Sequence, residues 1–232
     1  MRFPGGKFRL YQQIINLMPP HRVYIETHLG GGAVIRNKTP AIYNIGIERD
    51  LKVLRAFKGT FGNKYKFIHG EAENFLKGFQ FQGDELVYAD PPYWPSSRKS
   101  KKCPYRYDYS EEQHLRLLEI LLALPCRVMI SGYRNDAYSE ILTGWQEHSL
   151  IGTSHTGRRE EIVWSNFETS LLHDTRFAGK NFRDRQTIRR KRQRWKERFL
   201  KQPPYVQQAV LGDLISAFHE RWKSKFHDYN SN

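Results

Sequence analysis

The sequence predicts an α/β fold, an open and mostly parallel sheet with helices on both faces, followed by a basic helical tail. Three observations carry that reading. Short β-like runs alternate with helical patterns along the first two thirds of the chain, which is how a parallel sheet with crossover helices is written in sequence. At 232 residues the chain suits one substantial core plus an appendage, not two average domains. Charge is also unevenly spread: 38 lysines and arginines face 24 acids, for a formal +14, and twelve of the basic residues against two acids fall between Arg176 and Lys201. The expected division is a folded domain over residues 1–170 and a basic helical tail over 171–232.

In chain order, "RVYIE" runs into a glycine cluster, "AIYNIGIE" into "DLKVLRAFKGTF", and "KYKFIH" into "EAENFL"; "ELVYAD" and "CRVMISGY" complete the β-like runs of the alternating part. The segment "PSSRKSKKCPYRYDY" has no apolar period and reads as a long loop. Ser110 to Leu124 opens with a serine cap and spaces its leucines by three and four, so a buried helix is expected. "WQEHSLI" and "EEIVWSNF" flank a turn-rich gap and read as a terminal hairpin on the sheet. Beyond Phe167, Ile188, Trp195 and Phe199 give one helix an apolar stripe. "KQPPYV" interrupts it, and Val206, Val210, Leu214, Phe218 and Trp222 give a second, so an αα hairpin is expected.

The chemistry begins at "HLGGGAV". Glycines after a strand allow a sharp turn and close approach of backbone to a ligand, which side chains at Gly30 and Gly32 would block. The next β-like run ends at Glu48, from which a carboxylate can accept hydrogen bonds from two ribose hydroxyls. No "GK[ST]" follows the glycines, so a nucleoside without a polyphosphate is the expected ligand. Asp90 then closes the buried-type run "LVYA", at the sheet edge where open α/β folds bind ligands. Pro91 and Pro92 fix φ and remove two amide donors, leaving rigid carbonyls beside a carboxylate that the local backbone does not neutralise. Such acceptors suit a planar amine, drawing its lone pair out of conjugation, while Tyr93, with Trp94 beside it, offers a face for stacking a base.

Those residues resemble the Dam-type, adenine-specific DNA methyltransferases that use S-adenosylmethionine. "FPGGK", "IETHLGGGAV" and "DPPYW" occur in the family's order, and "SGY" and "REEIVWSN" are similar to its closing strands, so the resemblance spans roughly residues 1–167. It implies a Rossmann-like class I methyltransferase with a seven-stranded, mostly parallel sheet. It further implies that Phe3 and Lys7 contact the cofactor and that Glu26, His28 and the backbone of Leu29, Gly30, Gly31 and Gly32 hold its methionine part. Glu48 takes the ribose, Glu71 and Ala72 the adenine ring, and Asp90, Pro91, Pro92 and Tyr93 the target base. Where relatives read Glu-Pro-Phe this chain reads Glu26, Thr27 and His28, and Asp50 rivals Glu48 as the ribose acid. Between Gly32 and Asp90 only two β/α units fit, which leaves no room for the recognition insert of many relatives.

The implied reaction is methyl transfer to the exocyclic amine of adenine in DNA. An RNA adenine methyltransferase and a non-catalytic nucleic-acid-binding protein on the same fold are the alternatives, and a cytosine amine would suit the same acceptors. Double-stranded DNA is the expected partner, met by two basic segments. One is the loop with Arg98, Lys99, Lys101, Lys102 and Arg106 among tyrosines; the other is the helix with Arg189, Arg190, Arg192 and Arg194. The most apolar stretch, Leu117 to Leu124, is too short to span a bilayer, and "MRFPGGK" has no signal-peptide core, so a cytoplasmic protein is expected. Cys103 and Cys126 share no metal-ligand spacing, and no metal is expected. His114 and His219 fall within helical patterns and read as structural or exposed.

Overall fold

The computed structural model describes residues 6–8, 10–57, 59, 61–98, 106–154, 157–168 and 172–230. Five strands run parallel: β1 (Val23–Glu26), β2 (Tyr43–Glu48), β3 (Tyr65–His69), β4 (Glu85–Ala89) and β5 (Arg127–Gly132). The hairpin strands β6 (Gln146–Ser154) and β7 (Gly157–Ser165) complete a seven-stranded sheet of order β3-β2-β1-β4-β5-β7-β6, with β7 antiparallel to both neighbours. The order reverses between β1 and β4. That is the switch point, where crossovers leave in opposite directions and open a crevice above the strand ends.

Each core strand feeds two layers because alternate side chains take opposite faces. On one face Ile25, Val87, Ala89 and Ile130 pack with Leu117, Leu118 and Leu121 of α5 (Glu111–Leu122) and Tyr138 of α6 (Asp136–Ile141). On the other, Tyr24, Leu86, Tyr88 and Met129 pack with Ile14 and Ile15 of α1 (Tyr11–Ile15), Val34 and Ile35 of α2 (Ala33–Asn37) and Val53 of α3 (Leu51–Arg55). Every residue of β4 is buried, as a central parallel strand requires. The predicted serine cap is a full capping box: Ser110 Oγ accepts from Gln113 N and Gln113 Oε1 accepts from Ser110 N. The remaining short helix, α4 (Ala72–Gly78), leads from β3 to β4.

The chain divides into two compact units, residues 1–177 and 178–232. The first extends past the predicted boundary at 170 because the segment around Asp174 is tied to the sheet domain. Asp174 is 1% exposed and accepts from Thr39 N at 2.8 Å and from Arg176, whose guanidinium also donates to Asn37 O at 2.7 Å. The second unit holds α7 (Phe182–Leu200) and α8 (Pro204–Asn230). Asn181 caps α7 through Asp184 N, and Pro204 opens α8 at a position where its missing donor costs nothing. The residues expected to close an αα hairpin, Trp195, Leu214 and Phe218, are exposed, and α7 has no buried residue. Among the described residues no helix is long and apolar enough to cross a membrane.

Asp174 carries a prediction. Its carboxyl is held down to about 2 by the Arg176 contacts and the Thr39 amide, against burial that opposes them. A depressed carboxylate stabilises the fold above its unfolded pKa of about 4 and loses that contribution as pH falls towards the folded value. Asp174→Ala should therefore cost about 1–3 kcal/mol near neutral pH. In urea melts the gap between variant and wild type should narrow below pH 4.

Candidate active site

A cavity of about 220 Å³ opens over the switch point, between the ends of β1, β2 and β4. Lys7, Glu26, His28, Leu29, the three glycines 30–32, Glu48, Glu71, Ala72, Asp90, Pro91 and Pro92 line it, so residues scattered over 86 positions of chain meet at one sheet edge. Phe3, Lys99, Lys101 and Lys102 lie outside the described residues.

The glycine turn is built as its sequence suggests. Gly30 and Gly32 have φ of 48° and 63°, a region that side chains disfavour. A Cβ on Gly32 would also lie 2.6 Å from the Phe57 ring, which stacks among Phe61 and Phe67. Glu48 is bound into the turn: its two oxygens accept from Gly30 N and Asp50 N, both at 2.8 Å. Asp50, the rival acid, instead caps α3 through Lys52 N, with Arg106 3.5 Å away.

Glu26 is 3% exposed at the cavity, and its two hydrogen bonds among the described residues, from Tyr24 OH and Ile35 N at 2.9 Å, fall on Oε2. Burial, chiefly, raises its carboxyl to about 8. His28 bridges Thr27 Oγ1 and Tyr109 OH, and Tyr109 OH donates on to Glu73. Burial lowers the His28 imidazole to about 3, so it stays neutral and joins the glycine turn to Tyr109. Of the lining charges, Lys7 pairs with Asp90, Arg49 with Glu71 and Arg106 lies near Asp50. Neither Glu26 nor Glu48 has an ion-pair partner within 4 Å among the described residues, Lys38 acting on Glu26 only from farther away, so the cavity suits a neutral or cationic occupant better than a phosphate.

Asp90 stands at the end of β4 as expected, but it is not unneutralised. Lys7 Nζ lies 2.5 Å from Asp90 Oδ1, and Ser131 Oγ donates to the same oxygen at 2.7 Å. The backbone next to Asp90 supplies no neutralising donor; the cation comes from 83 residues earlier. Tyr93 also differs in position. It is 4% exposed, its ring stands edge-on to Tyr133 at 4.4 Å, and its hydroxyl accepts from Lys7 and donates to Glu161. Trp94 turns into the core against His114 and Tyr138. His114, Ser131 and Glu161 carried no local signal of belonging near the site, since strand pairing alone brings Ser131 and Glu161 to Asp90.

Arg98 is mostly buried and forks onto Asp108 at 2.6 and 2.7 Å while donating to Tyr93 O, so its charge closes the loop. Arg106 is half exposed at the cavity mouth. Arg189, Arg190, Arg192 and Arg194 are exposed on α7. No group of three or more histidine, cysteine, aspartate or glutamate side chains suited to a metal occurs among the described residues.

A parallel sheet with an antiparallel β7, a glycine turn and a carboxylate-proline-proline edge at its switch point defines a Rossmann-like class I methyltransferase fold. Residues 42–153, just under half of the chain, match the D12 class N6 adenine-specific DNA methyltransferase family. The Type II methyltransferase M1.LlaDCHI of Lactococcus lactis subsp. cremoris is 28% identical over 116 residues, which are 45% of this chain and 40% of that protein. The chain thus matches under half the length of that relative. Among solved structures, the N-methyltransferase NodS of Bradyrhizobium japonicum WM9 is 10% identical with a TM-score of 0.47, over 68% of this chain and 93% of that one. Magnesium protoporphyrin IX methyltransferase of Synechocystis PCC 6803 with bound SAM is 14% identical with a TM-score of 0.44, over 68% and 80%.

Gly32→Ala should destabilise the domain by about 1–3 kcal/mol, because it combines a strained φ with the Phe57 clash. Gly59 has a similar φ of 70° with nothing within 4 Å, so Gly59→Ala isolates the backbone share. Thermal melts should rank Gly32→Ala below Gly59→Ala.

Proposed function

We propose that the protein is a DNA adenine-N6 methyltransferase, which moves a methyl group from S-adenosylmethionine to the exocyclic amine of adenine in double-stranded DNA. The observation that carries this reading is the placement of Asp90, Pro91 and Pro92 at the wall of a cavity that Glu26 and Glu48 also line. The match of residues 42–153 to the adenine-specific family supports it.

The donor set fits the cofactor. Glu26, buried and without an ion-pair partner within 4 Å among the described residues, is suited to its ammonium; Glu48 to ribose hydroxyls; and the cavity between Glu71 and Ala72 to its adenine. Bound there, S-adenosylmethionine supplies an electrophilic methyl carbon. The chain's own work is alignment of the nucleophile. Asp90 Oδ1 is held by Lys7 and Ser131, and among the described residues nothing donates to Oδ2. Oδ2 and the Pro91 carbonyl accept the two N–H bonds of a flipped adenine's amine, which turns the nitrogen lone pair out of the ring plane and holds it for attack. Tyr93 supports this wall through its hydroxyl, which Lys7 and Glu161 fix. Arg106 and the arginines of α7 supply phosphate contacts, whose displacement of counterions makes binding fall steeply with salt.

Two outcomes test the reading. Asp90→Ala should lower methyl incorporation into mixed-sequence plasmid DNA by at least about 1000-fold, since it removes an acceptor formed for the transition state, while cofactor affinity changes only a few-fold. Undiminished turnover would remove Asp90 from its role. Because Glu26 holds a proton near neutrality and a bound cation favours its ionised form, cofactor affinity should rise with pH between about 6 and 8 and level off above it. Titration calorimetry in buffers of different ionisation heat should detect the released proton, and Glu26→Gln should abolish that release.

A further inference from the structure

We propose that Glu161 is a positioning residue for methyl transfer: it neutralises Lys7 so that the negative charge of Asp90 remains available to the amine as that nitrogen becomes cationic. The inference rests on the methyltransferase reading above and concerns a residue outside the family match, on the edge hairpin of the sheet.

The geometry is a closed cluster. Lys7 Nζ has three hydrogen-bond donors, and three acceptors surround it: Asp90 Oδ1 at 2.5 Å, Tyr93 OH at 2.5 Å and Glu161 Oε2 at 3.4 Å. Tyr93 OH in turn donates to Glu161 Oε2 at 2.5 Å. Lys7 is 4% exposed, and the Asp90 and Glu161 side chains are 17% and 14% exposed, so water screens these charges poorly. The ionisable and polar neighbours of Asp90 come from every adjoining element. They are Lys7 before α1, Tyr24 and Glu26 on β1, Tyr88 on β4, Tyr93 beyond it, Ser131 on β5, Tyr138 on α6 and Glu161 on β7.

Charge arithmetic gives the cluster its purpose. An Asp90–Lys7 pair alone is neutral, so it orients an amine without any net field to favour positive charge on it. Adding Glu161 makes the cluster singly negative, and the nitrogen gains one positive charge as its bond to the methyl carbon forms while the donor's carbon–sulfur bond breaks, its electron pair leaving a neutral thioether. The cluster and the alkylated amine together are then neutral, until the nitrogen gives its proton to Asp90 or water and the neutral methylamine remains. An electrostatic arrangement prepared before reaction acts on the transition state more than on the bound substrate. Lys7 stays an ammonium throughout: burial by itself would lower it, but Asp90, Tyr93 and Glu161 carry it well above its ordinary value.

The sign of the pH effect separates this role from a merely structural one. Burial raises the Asp90 carboxyl, Lys7 lowers it and Glu161 raises it further. Removing the Glu161 charge therefore moves the acid limb of activity to lower pH while lowering the plateau, two changes that general damage to the fold does not combine.

The test compares wild type, Glu161→Gln, Glu161→Asp, Lys7→Met and the double variant Lys7→Met/Glu161→Gln, in methyl transfer to plasmid DNA between pH 5.5 and 9. Glu161→Gln should lower kcat about 10- to 100-fold with KM for DNA and cofactor within about 2-fold. Its acid limb should shift to lower pH, and Glu161→Asp should recover most of the plateau. In the Lys7→Met background the same replacement should lower kcat by clearly less than in wild type, since without the ammonium Asp90 alone keeps the cluster negative. An unchanged plateau in Glu161→Gln, or an equal loss in both backgrounds, overturns the proposal while leaving the methyltransferase reading intact. Failure of wild type to methylate DNA overturns that reading instead, and the role of Glu161 with it.

Discussion

The site depends on the parallel pairing of β1 with β4, in which Val23 lies opposite Glu85 and Glu26 opposite Tyr88. That register sets the two strand ends level, so the glycine turn leaving β1 and the Asp90-Pro91-Pro92 turn leaving β4 open onto the same crevice. A slip of one residue would turn Leu86 and Tyr88 into the wrong layer and aim Asp90 away from the glycines. The register resists slippage because β4 is buried on both faces, each against a separate apolar cluster. Stability of the core and geometry of the cavity are thus one constraint.

Polar groups at this edge are arranged in order of depth. Tyr88 donates towards Ser131, Ser131 donates to Asp90, and Lys7 meets the same oxygen from the opposite end of the chain. Burying a lone carboxylate is costly, and a buried pair recovers that cost only when its remaining hydrogen-bonding capacity is met. Among the described residues Oδ1 takes both donors and Oδ2 takes none, an asymmetry that fits an acceptor kept for a substrate. The same logic applies at Glu26, whose Oε2 takes both local donors. Two half-satisfied carboxyl groups on one cavity are difficult to account for by stability alone.

The second unit obeys a different physics. In α7, nine lysines and arginines surround a narrow row formed by Ile188, Trp195 and Phe199, and none of its side chains is buried. Its capped ends favour the helix, but its charges repel one another, which a polyanion would relieve. Folding of the first unit is governed by apolar burial, whereas the second is governed by capping and electrostatics.

Much of this was legible in the sequence for local reasons. The alternation of β-like runs and helical spacing marked the five parallel strands, the serine box of α5 and the edge hairpin, because side-chain period and capping are properties of neighbouring residues. Gly30, Gly32, Glu48 and Asp90 stood out since each sits at a strand end, where turn chemistry is written within a few positions. What tertiary structure alone decided was which distant groups meet: Lys7 at Asp90, Glu161 and Ser131 behind it, Arg98 spent on Asp108, and Trp94 turned inward to His114. Strand order and register set those meetings, and they are sums of many weak pairings over the whole sheet, so no single stretch of sequence encodes them.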